Sequence, residues 1–202
     1  MPLLAIADYT LFPGTLVPFH VYEPGLVEAV SHALTSDRRI VVLSPPDGRD
    51  AARVTGSIGR IVSDRRYVDG PIDIFIHGLE RVSALCPVGP DPRFSVDVRV
   101  EPDSPHKASA LAAERLRALA TAYVRGLRLA NFGEEAEAAL AAVGSTRDPG
   151  LMSNRLAAFV YVRAVDRQRF LETLCPVKRC ESLLDAIGQR LLHLNVSGQL
   201  VH

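Results

Sequence analysis

The chain has 202 residues, of which 48% are hydrophobic and 23% are charged, and its 23 basic residues balance 23 acidic ones. This composition is typical of a folded protein with a core in one large or two small domains, and the zero net charge gives no support to a polyanion-binding surface. The N-terminus lacks the basic residues and long apolar core of a secretory signal, and no window approaches the roughly 20 apolar residues of a membrane-spanning helix. We therefore expect a cytoplasmic protein without a membrane partner.

The first part of the chain is predicted to contain about six strands and one helix. Residues 3–6 form a short apolar segment, as expected of a buried strand. Residues 11–24 are predicted to be extended, because three prolines exclude a helix while the large apolar side chains need a core. The apolar residues that follow recur at three- and four-residue spacing, which predicts an amphipathic helix with Pro24 in its first turn and its end near Thr35.

Continuous or alternating apolar runs predict the remaining strands. These runs cover residues 40–43, 54–65, 72–77, 82–85 and 94–100. Asp69 and Gly70 are predicted to make a tight turn between two strands, because glycine tolerates the positive φ that such turns require. The segment from Gly78 to Arg81 is expected to interrupt a strand and send it in a new direction.

Beyond residues 102–106 the composition changes to leucine, alanine and arginine at helical spacing. Five helices with short connections are predicted, at residues 107–129, 134–143, 148–162, 167–174 and 176–192. Asp166 is the predicted N-cap of the fourth helix. The fold class is therefore α+β, with a β-barrel-like subdomain at residues 1–101, a helical subdomain at residues 107–194 and a flexible tail at residues 195–202.

Two charged residues are predicted to have structural roles. Glu23 precedes Pro24 at the helix start, where its carboxylate would cap free N–H groups at the positive end of the helix dipole. Arg81 follows a glycine turn inside an apolar strand, so its guanidinium is expected to bind a carboxylate or backbone carbonyls, since a buried unpaired charge is costly.

The sequence carries no recognisable catalytic or metal-binding motif. It has no phosphate-binding glycine loop, dinucleotide fingerprint, His-Glu-x-x-His or Gly-x-Ser-x-Gly motif. The six histidines are scattered singly, and Cys86, Cys175 and Cys180 have spacings that suit neither a disulfide framework nor a zinc site. We therefore predict no catalytic residue, no metal and no cofactor, and expect the chain not to be an enzyme.

Several short motifs appear in an order typical of one family. They are Leu11-Phe-Pro-Gly14, residues 18–24, Gly59-Arg-Ile61, Asp69-Gly70, Gly78-Leu-Glu-Arg81 and the two helices over residues 166–192. Together they resemble the N-terminal, substrate-binding domain of Lon proteases over residues 1–193. One departure is that Gly25 and Leu26 replace the arginine and tyrosine usual in that family.

The resemblance implies a PUA-like, six-stranded pseudo-barrel followed by a helical bundle. In Lon this region helps to recognise unfolded or tagged substrates, whereas the ATPase and peptidase lie downstream. We therefore expect a stand-alone, non-enzymatic module whose partners are unfolded polypeptide segments and a protease or chaperone component. Phe12, Pro13, Phe19 and Tyr22 would line its binding surface; alternatively, these side chains form the barrel core.

Two other functions remain open at the level of sequence. PUA-like barrels in other families bind RNA, and Arg60, Arg65 and Arg66 would supply a local basic patch. Against this, residues 1–106 hold ten basic and fourteen acidic residues, so attraction to phosphates is poorly served and a nucleic-acid partner is not expected. The other alternative is binding or catalysis of a small molecule between barrel and bundle, which no motif supports.

Overall fold

The computed structural model describes residues 1–45, 53–84, 95–104, 110–129, 132–144 and 146–199. The chain divides into two units, Met1–Pro102 and Asp103–His202. Cys86 and the loop predicted around residues 87–92 lie outside the described residues. No helix within the described ranges is long and apolar enough to cross a membrane.

The first unit is built on one mixed sheet. Its elements in chain order are β1 (Leu3–Ala5), β2 (Leu16–Val21), α1 (Pro24–Thr35), β3 (Arg39–Leu43), β4 (Val54–Arg66), β5 (Ile72–Ala84) and β6 (Val98–Val100). The strand order is β1-β3-β4-β5-β2, and β6 also pairs with β5. Only the β1–β3 pair is parallel among these strands. The predicted six strands and one helix are therefore confirmed.

The sheet differs from the sequence prediction at Gly78–Arg81. This segment does not end a strand; it lies within the 13-residue strand β5. The register with β4 shifts there, because Ile58 lies opposite Glu80 whereas Gly59 lies opposite Gly78. A β-bulge of this kind adds one residue and bends the strand, which is how a continuous strand changes direction.

The core follows from the period of two in the strands. Ile72, Ile74 and Ile76 are buried on one face of β5, where they pack with Val30 and Ala33 of α1. Other members of this core cluster are Leu4, Leu11, Val21, Ile40, Val42 and Ile61. Because alternate side chains of a strand point to opposite faces, this burial assigns the intervening residues of β5 to the other face.

The second unit contains the five predicted helices. They are α2 (Ala110–Leu129), α3 (Gly133–Gly144), α4 (Pro149–Val160), α5 (Ala164–Glu172) and α6 (Pro176–Gln199). Helix α5 begins earlier than predicted, with Arg163 at the N-cap, while Asp166 lies in the first turn and pairs with the Arg163 guanidinium at 2.7 Å. Helix α6 continues to Gln199 and so includes part of the predicted flexible tail; its backbone bonds extend the helix beyond the last apolar repeat.

A buried arginine that the sequence did not indicate holds part of the second unit together. Arg179 of α6 is fully buried, and both of its terminal nitrogens donate to the Asp103 carboxylate, at 2.7 and 2.6 Å. The guanidinium also donates to the carbonyl oxygen of Thr173 at 3.0 Å. A bidentate carboxylate and a backbone carbonyl together compensate the cost of burying this charge.

Candidate functional site

The turn at residues 12–15 explains the Pro-Gly motif near the start of the chain. The Thr15 N–H donates to the Phe12 carbonyl at 3.2 Å, with Pro13 and Gly14 between them. Gly14 has a φ of +82°, as the third position of a type II turn requires, and proline is favoured at the second position. Leu11 and Phe12 are each 1% exposed. The motif therefore contributes two side chains to the core and reverses the direction of the chain.

The same turn joins β2 to β5 through a second bulge. The Gly14 N–H donates to the Gly78 carbonyl at 2.8 Å, and the Gly78 N–H donates to the Thr15 carbonyl at 2.9 Å. Gly14 and Thr15 together therefore lie opposite Gly78, and Gly14, the first of the two, has the left-handed backbone. This arrangement is the G1 type of β-bulge. A Cβ on Gly78 would lie 2.3 Å from the Phe12 carbonyl oxygen, so only glycine allows this approach. Gly78 is therefore a structural residue.

The predicted polypeptide-binding residues have very different environments. Phe12 and Pro13 are buried, so their side chains do not reach the surface. Phe19 is half-buried and packs edge-on against Tyr9, with ring centroids 4.8 Å apart. Tyr22 is 67% exposed. Only Tyr22 of the four therefore presents most of its side chain to a ligand.

Of the two structural residues predicted at the helix start, Pro24 has the predicted position, whereas the side chain of Glu23 does not cap the helix. Glu23 occupies the N-cap position of α1 and its carbonyl accepts from the Val27 N–H at 2.9 Å, but its side chain makes no capping hydrogen bond. The carboxylate is exposed, and Glu lacks the short side chain that lets Ser or Asp reach back to the first N–H groups. Pro24 occupies the first turn of α1, where its missing N–H costs nothing.

The turn glycine and the buried arginine have clear local roles. Gly70 has a φ of +106°, and the Tyr67 N–H donates to the Pro71 carbonyl at 2.9 Å around the loop that contains Asp69. Arg81 is 4% exposed, and no buried side-chain nitrogen or oxygen in the described part of the chain lacks a hydrogen-bond partner. The Arg81 guanidinium therefore has hydrogen-bond partners, as its predicted structural role requires.

Opposite the core, three neighbouring strands share a solvent-facing surface. The alternation that buries Ile72, Ile74 and Ile76 turns the residues between them outward, and the strand register aligns these with residues of β2 and β4. We call this surface the outer face; its members are Leu16, Pro18 and His20 of β2, Asp73, Phe75 and His77 of β5, and Arg60, Ser63 and Arg65 of β4. They form three rows, in which Leu16, Pro18 and His20 stand opposite His77, Phe75 and Asp73.

The outer face exposes large apolar side chains. Leu16 is 57% exposed and Phe75 is 43% exposed. Two tyrosines adjoin the face, since the rings of Tyr22 and Tyr67 each lie 6.2 Å from the His20 ring. The outward side chains of a half-exposed antiparallel sheet are ordinarily polar. Exposed apolar and aromatic groups at such positions mark a candidate binding surface.

A hydrogen-bond network fixes one end of the outer face. Asp73 accepts from the Tyr67 hydroxyl at 2.5 Å and from Nδ1 of His20 at 2.6 Å. Two hydrogen bonds lower the pKa of the Asp73 carboxyl, with the bond from Tyr67 as the largest cause and the bond from His20 as the second. The bond between Tyr67 and Asp73 also raises the pKa of the Tyr67 hydroxyl. The Arg65 guanidinium carbon lies 5.2 Å from the Tyr67 ring centroid. The network therefore orients two rings and one guanidinium.

The predicted basic patch is divided between two surfaces. Arg60 and Arg65 belong to the outer face, opposite His77 and Asp73 respectively. Arg66 pairs with the inward-facing Ile72 position and donates to the Ser31 hydroxyl of α1 at 2.6 Å. A bulge at Val62 shifts the alternation of β4, so that Arg60 and Arg65 lie on the same face although they are five positions apart. Sequence periodicity alone did not reveal this shift.

The cysteines and other potential ligands give no metal site in the described ranges. No group of three or more histidine, cysteine, aspartate or glutamate side chains there is placed to hold a metal ion. Cys175 and Cys180 are free thiols. Burial raises the pKa of Cys180 to about 11, whereas the Lys178 N–H at the start of α6 lowers the pKa of Cys175.

Sequence reasoning missed most of the outer face. The alternation of residues 72–77 indicated that Asp73, Phe75 and His77 share one side of a strand. Nothing in the sequence showed that His20 and Leu16 stand beside them, because that contact depends on the register of β2 against β5. The signal available in retrospect is the alternation of residues 16–21 combined with the turn at residues 12–15.

Comparison with known proteins places this fold in a family. A family model described as the ATP-dependent protease La (LON) substrate-binding domain matches residues 1–189. Lon protease 1 of Syntrophobacter fumaroxidans is 28% identical over 95% of this chain, and the Lon protease of Paraburkholderia phytofirmans is 27% identical over 98%. The chain spans about a quarter of the length of these relatives, 24% and 25% respectively.

Solved structures show the same fold. The N-terminal domain of the Mycobacterium avium complex Lon protease matches with a TM-score of 0.66 and 22% identity, over 93% of this chain and 97% of that one. A Lon N-terminal domain protein from Xanthomonas campestris matches with a TM-score of 0.64 and 22% identity, over 92% and 96%. The predicted α+β fold is thereby confirmed. Because the family model also matches nearly the whole sequence, the chain belongs to the family of Lon substrate-binding domains.

Proposed function

We propose that the chain is a non-catalytic polypeptide-binding domain whose ligands are unfolded or extended protein segments. Its partners would be such segments together with a protease or chaperone component that processes them. The proposal is carried by one observation, the exposure of Leu16, Phe75 and Tyr22 on or beside the outer face of a substrate-binding family member. Unfolded segments differ from folded proteins in exposing apolar side chains, which is the property this surface is suited to read.

The outer face suits a polypeptide for a further reason. Its apolar groups lie on a hydrogen-bonded strand pair, and the Asp73 bonds hold the neighbouring rings in place. A preorganised aromatic surface loses little side-chain entropy on binding, so each buried contact contributes more to affinity. The rest of the face carries both charged and hydroxyl groups, as a surface that is also exposed to water requires.

The test is binding of a fluorescently labelled, chemically unfolded model polypeptide, measured by fluorescence anisotropy. Replacing two apolar side chains of the outer face, Leu16→Ser with Phe75→Ser, is expected to weaken binding by about tenfold or more, because burial of a large apolar side chain contributes about 1.5–3 kcal/mol. The matched control is Leu192→Ser with Phe159→Ser, which removes exposed apolar side chains from the helices of the second unit.

The control variant is expected to bind like the unaltered chain. Circular dichroism spectra verify that both variants keep their secondary structure. Equal affinity of the unaltered chain and the outer-face variant would refute a role for this surface. Absence of binding by the unaltered chain at high micromolar concentrations would refute polypeptide binding itself.

A further inference from the structure

We propose that the outer face selects extended segments in which an apolar side chain has an acidic residue two positions away on each side. This inference rests on the proposed function and adds the chemical class of the preferred segment. Three features of the outer face carry it: the spacing of two arginines, the absence of an ion pair at either one, and an apolar group midway between them.

The spacing follows from the strand register. Arg60 lies opposite His77 and Arg65 lies opposite Asp73, so the two arginines belong to rows four residues apart along β5. At about 3.3 Å per residue these rows are separated by about 13 Å. An extended ligand along the strands directs every second side chain to the same side, so two acidic residues four positions apart match the two rows.

The middle row is apolar on two of its three strands, with Ser63 of β4 as its polar member. Phe75 occupies it on β5, and Pro18 stands opposite on β2. A ligand side chain midway between the two acidic ones would meet this pair. The order acidic, any, apolar, any, acidic therefore matches the three rows in turn.

No acidic side chain of the described residues holds Arg60 or Arg65 in an ion pair within 4.0 Å. Asp73 is the acidic residue in the same row as Arg65, but its two oxygens already accept from Tyr67 and His20. Arg65 instead lies over the Tyr67 ring, which positions its guanidinium and leaves its N–H groups able to bind a carboxylate.

The ligand is expected on the face of the sheet, not along the edge of β2. Strand β2 ends the strand order, and an edge strand can pair with an added strand. The bond from the Gly78 N–H to the Thr15 carbonyl sets the alternation so that the backbone groups of residues 16, 18 and 20 turn away from β5. Residue 18 is proline, which has no N–H to donate, and proline at this position protects an edge from strand addition.

The charge pattern favours a polypeptide over nucleic acid. A nucleic acid offers a continuous row of phosphates, and affinity for it grows with the number of phosphates neutralised. The outer face offers two arginines separated by the row of Ser63, Phe75 and Pro18, and residues 1–106 hold ten basic against fourteen acidic residues. Two separated carboxylates match this pattern better than a polyanion.

The experiment compares labelled peptides for binding to the full chain by fluorescence anisotropy at low salt. The first peptide has the core Glu-Ser-Phe-Ser-Glu between Gly-Ser ends; two others carry Gln or Lys in place of both Glu residues, and a fourth places the two Glu side by side. We expect the first peptide to bind roughly fivefold more tightly than the Gln and adjacent-Glu peptides, with the Lys peptide weakest. High salt should remove most of this difference.

The variant Arg60→Gln with Arg65→Gln tests the residues responsible. It should bind the Glu and Gln peptides equally, because the groups that distinguish the two peptides have been removed. The matched control, Arg115→Gln with Arg125→Gln, removes two exposed arginines from α2 and should keep the full preference.

Equal binding of the Glu, Gln and Lys peptides by the unaltered chain would overturn this inference. The unfolded model polypeptide, measured in parallel, separates that result from failure of the proposed function: if it binds, only the acidic preference is refuted, and if neither it nor any peptide binds, the proposed function fails. A single-stranded RNA oligomer that binds more tightly than the Glu peptide, and loses affinity in the Arg60→Gln, Arg65→Gln variant, would also overturn the inference.

Discussion

Asp73 organises the side chains at one end of the outer face. It joins β5 to β2 through His20 and to the end of β4 through Tyr67, and both bonds favour its ionised form. The groups are exposed, so the bonds contribute more to the orientation of the rings than to the stability of the fold. A short polar network thus supports a surface whose other conspicuous groups are apolar.

Replacing Tyr67 tests this network at the level of one hydrogen bond. In Tyr67→Phe the largest cause of the lowered pKa of Asp73 is gone, so the pKa of Asp73 should rise toward the ordinary range for aspartate, near 3.9. The control Tyr22→Phe removes a hydroxyl that does not bind Asp73 and should leave this pKa unchanged. NMR titration of the side-chain carboxyl carbons measures both.

The sign of the effect on stability follows from linkage. A carboxyl whose folded-state pKa is lowered stabilises the fold above its unfolded-state pKa, and this contribution is lost as the pH falls through the folded-state value. Neutral pH is above the unfolded-state pKa of aspartate. In both Tyr67→Phe and the unaltered chain, the Asp73 carboxylate should therefore make its full contribution to the free energy of unfolding at neutral pH. An unchanged pKa of Asp73 in Tyr67→Phe would show that the hydroxyl does not bind the carboxylate in solution.

The turn and bulge at the start of β2 determine how this strand meets β5. Gly14 supplies the left-handed backbone and Gly78 supplies the space for the Phe12 carbonyl, so both glycines act on one junction. The junction sets the register that brings Pro18 beside Phe75 and His20 beside Asp73. The outer face therefore depends on an element whose own side chains are buried.

The two glycines should differ in the cost of adding a methyl group. Gly78→Ala places a Cβ 2.3 Å from the carbonyl oxygen of Phe12, so we expect a loss of about 3 kcal/mol or more in the free energy of unfolding. Gly14→Ala requires a left-handed alanine, which costs about 1–2 kcal/mol. Urea unfolding followed by circular dichroism measures both changes.

Gly188→Ala in α6 is the matched control for these substitutions. An added Cβ there meets no heavy atom within 4 Å, and alanine is favoured over glycine in a helix interior. This variant should keep its stability or gain up to about 1 kcal/mol. If Gly78→Ala were as stable as the unaltered chain, the close approach of Phe12 to Gly78 would be contradicted.

Periodicity in the sequence predicted the helices and strands well but did not predict which residues form the outer face. The period of two in residues 72–77 identified β5 and its two faces, and helical spacing identified all five later helices. The apolar residues near the chain start were harder to assign, because Phe12 and Tyr22 look alike in sequence while one is buried and the other exposed. The local sequence does not determine which of these side chains is buried and which is exposed.

Long-range contacts were beyond the sequence for a physical reason. Arg179 meets Asp103 across 76 positions, and His20 meets Asp73 across 53. Neither pair shares a helix face or a hairpin, so no short-range spacing relates its members. Each becomes visible only when the register of the strands or the packing of the helices is known.

The proposed function requires that the outer face itself contacts the unfolded polypeptide. NMR chemical-shift mapping of the full chain with an unlabelled, permanently unfolded polypeptide locates the contact residue by residue. We expect the largest amide shift changes on Leu16–Val21 of β2 and on residues 73–77 of β5, with small changes in α3 and α4. Changes confined to the helices of the second unit, with β2 and β5 unaffected, would contradict this expectation.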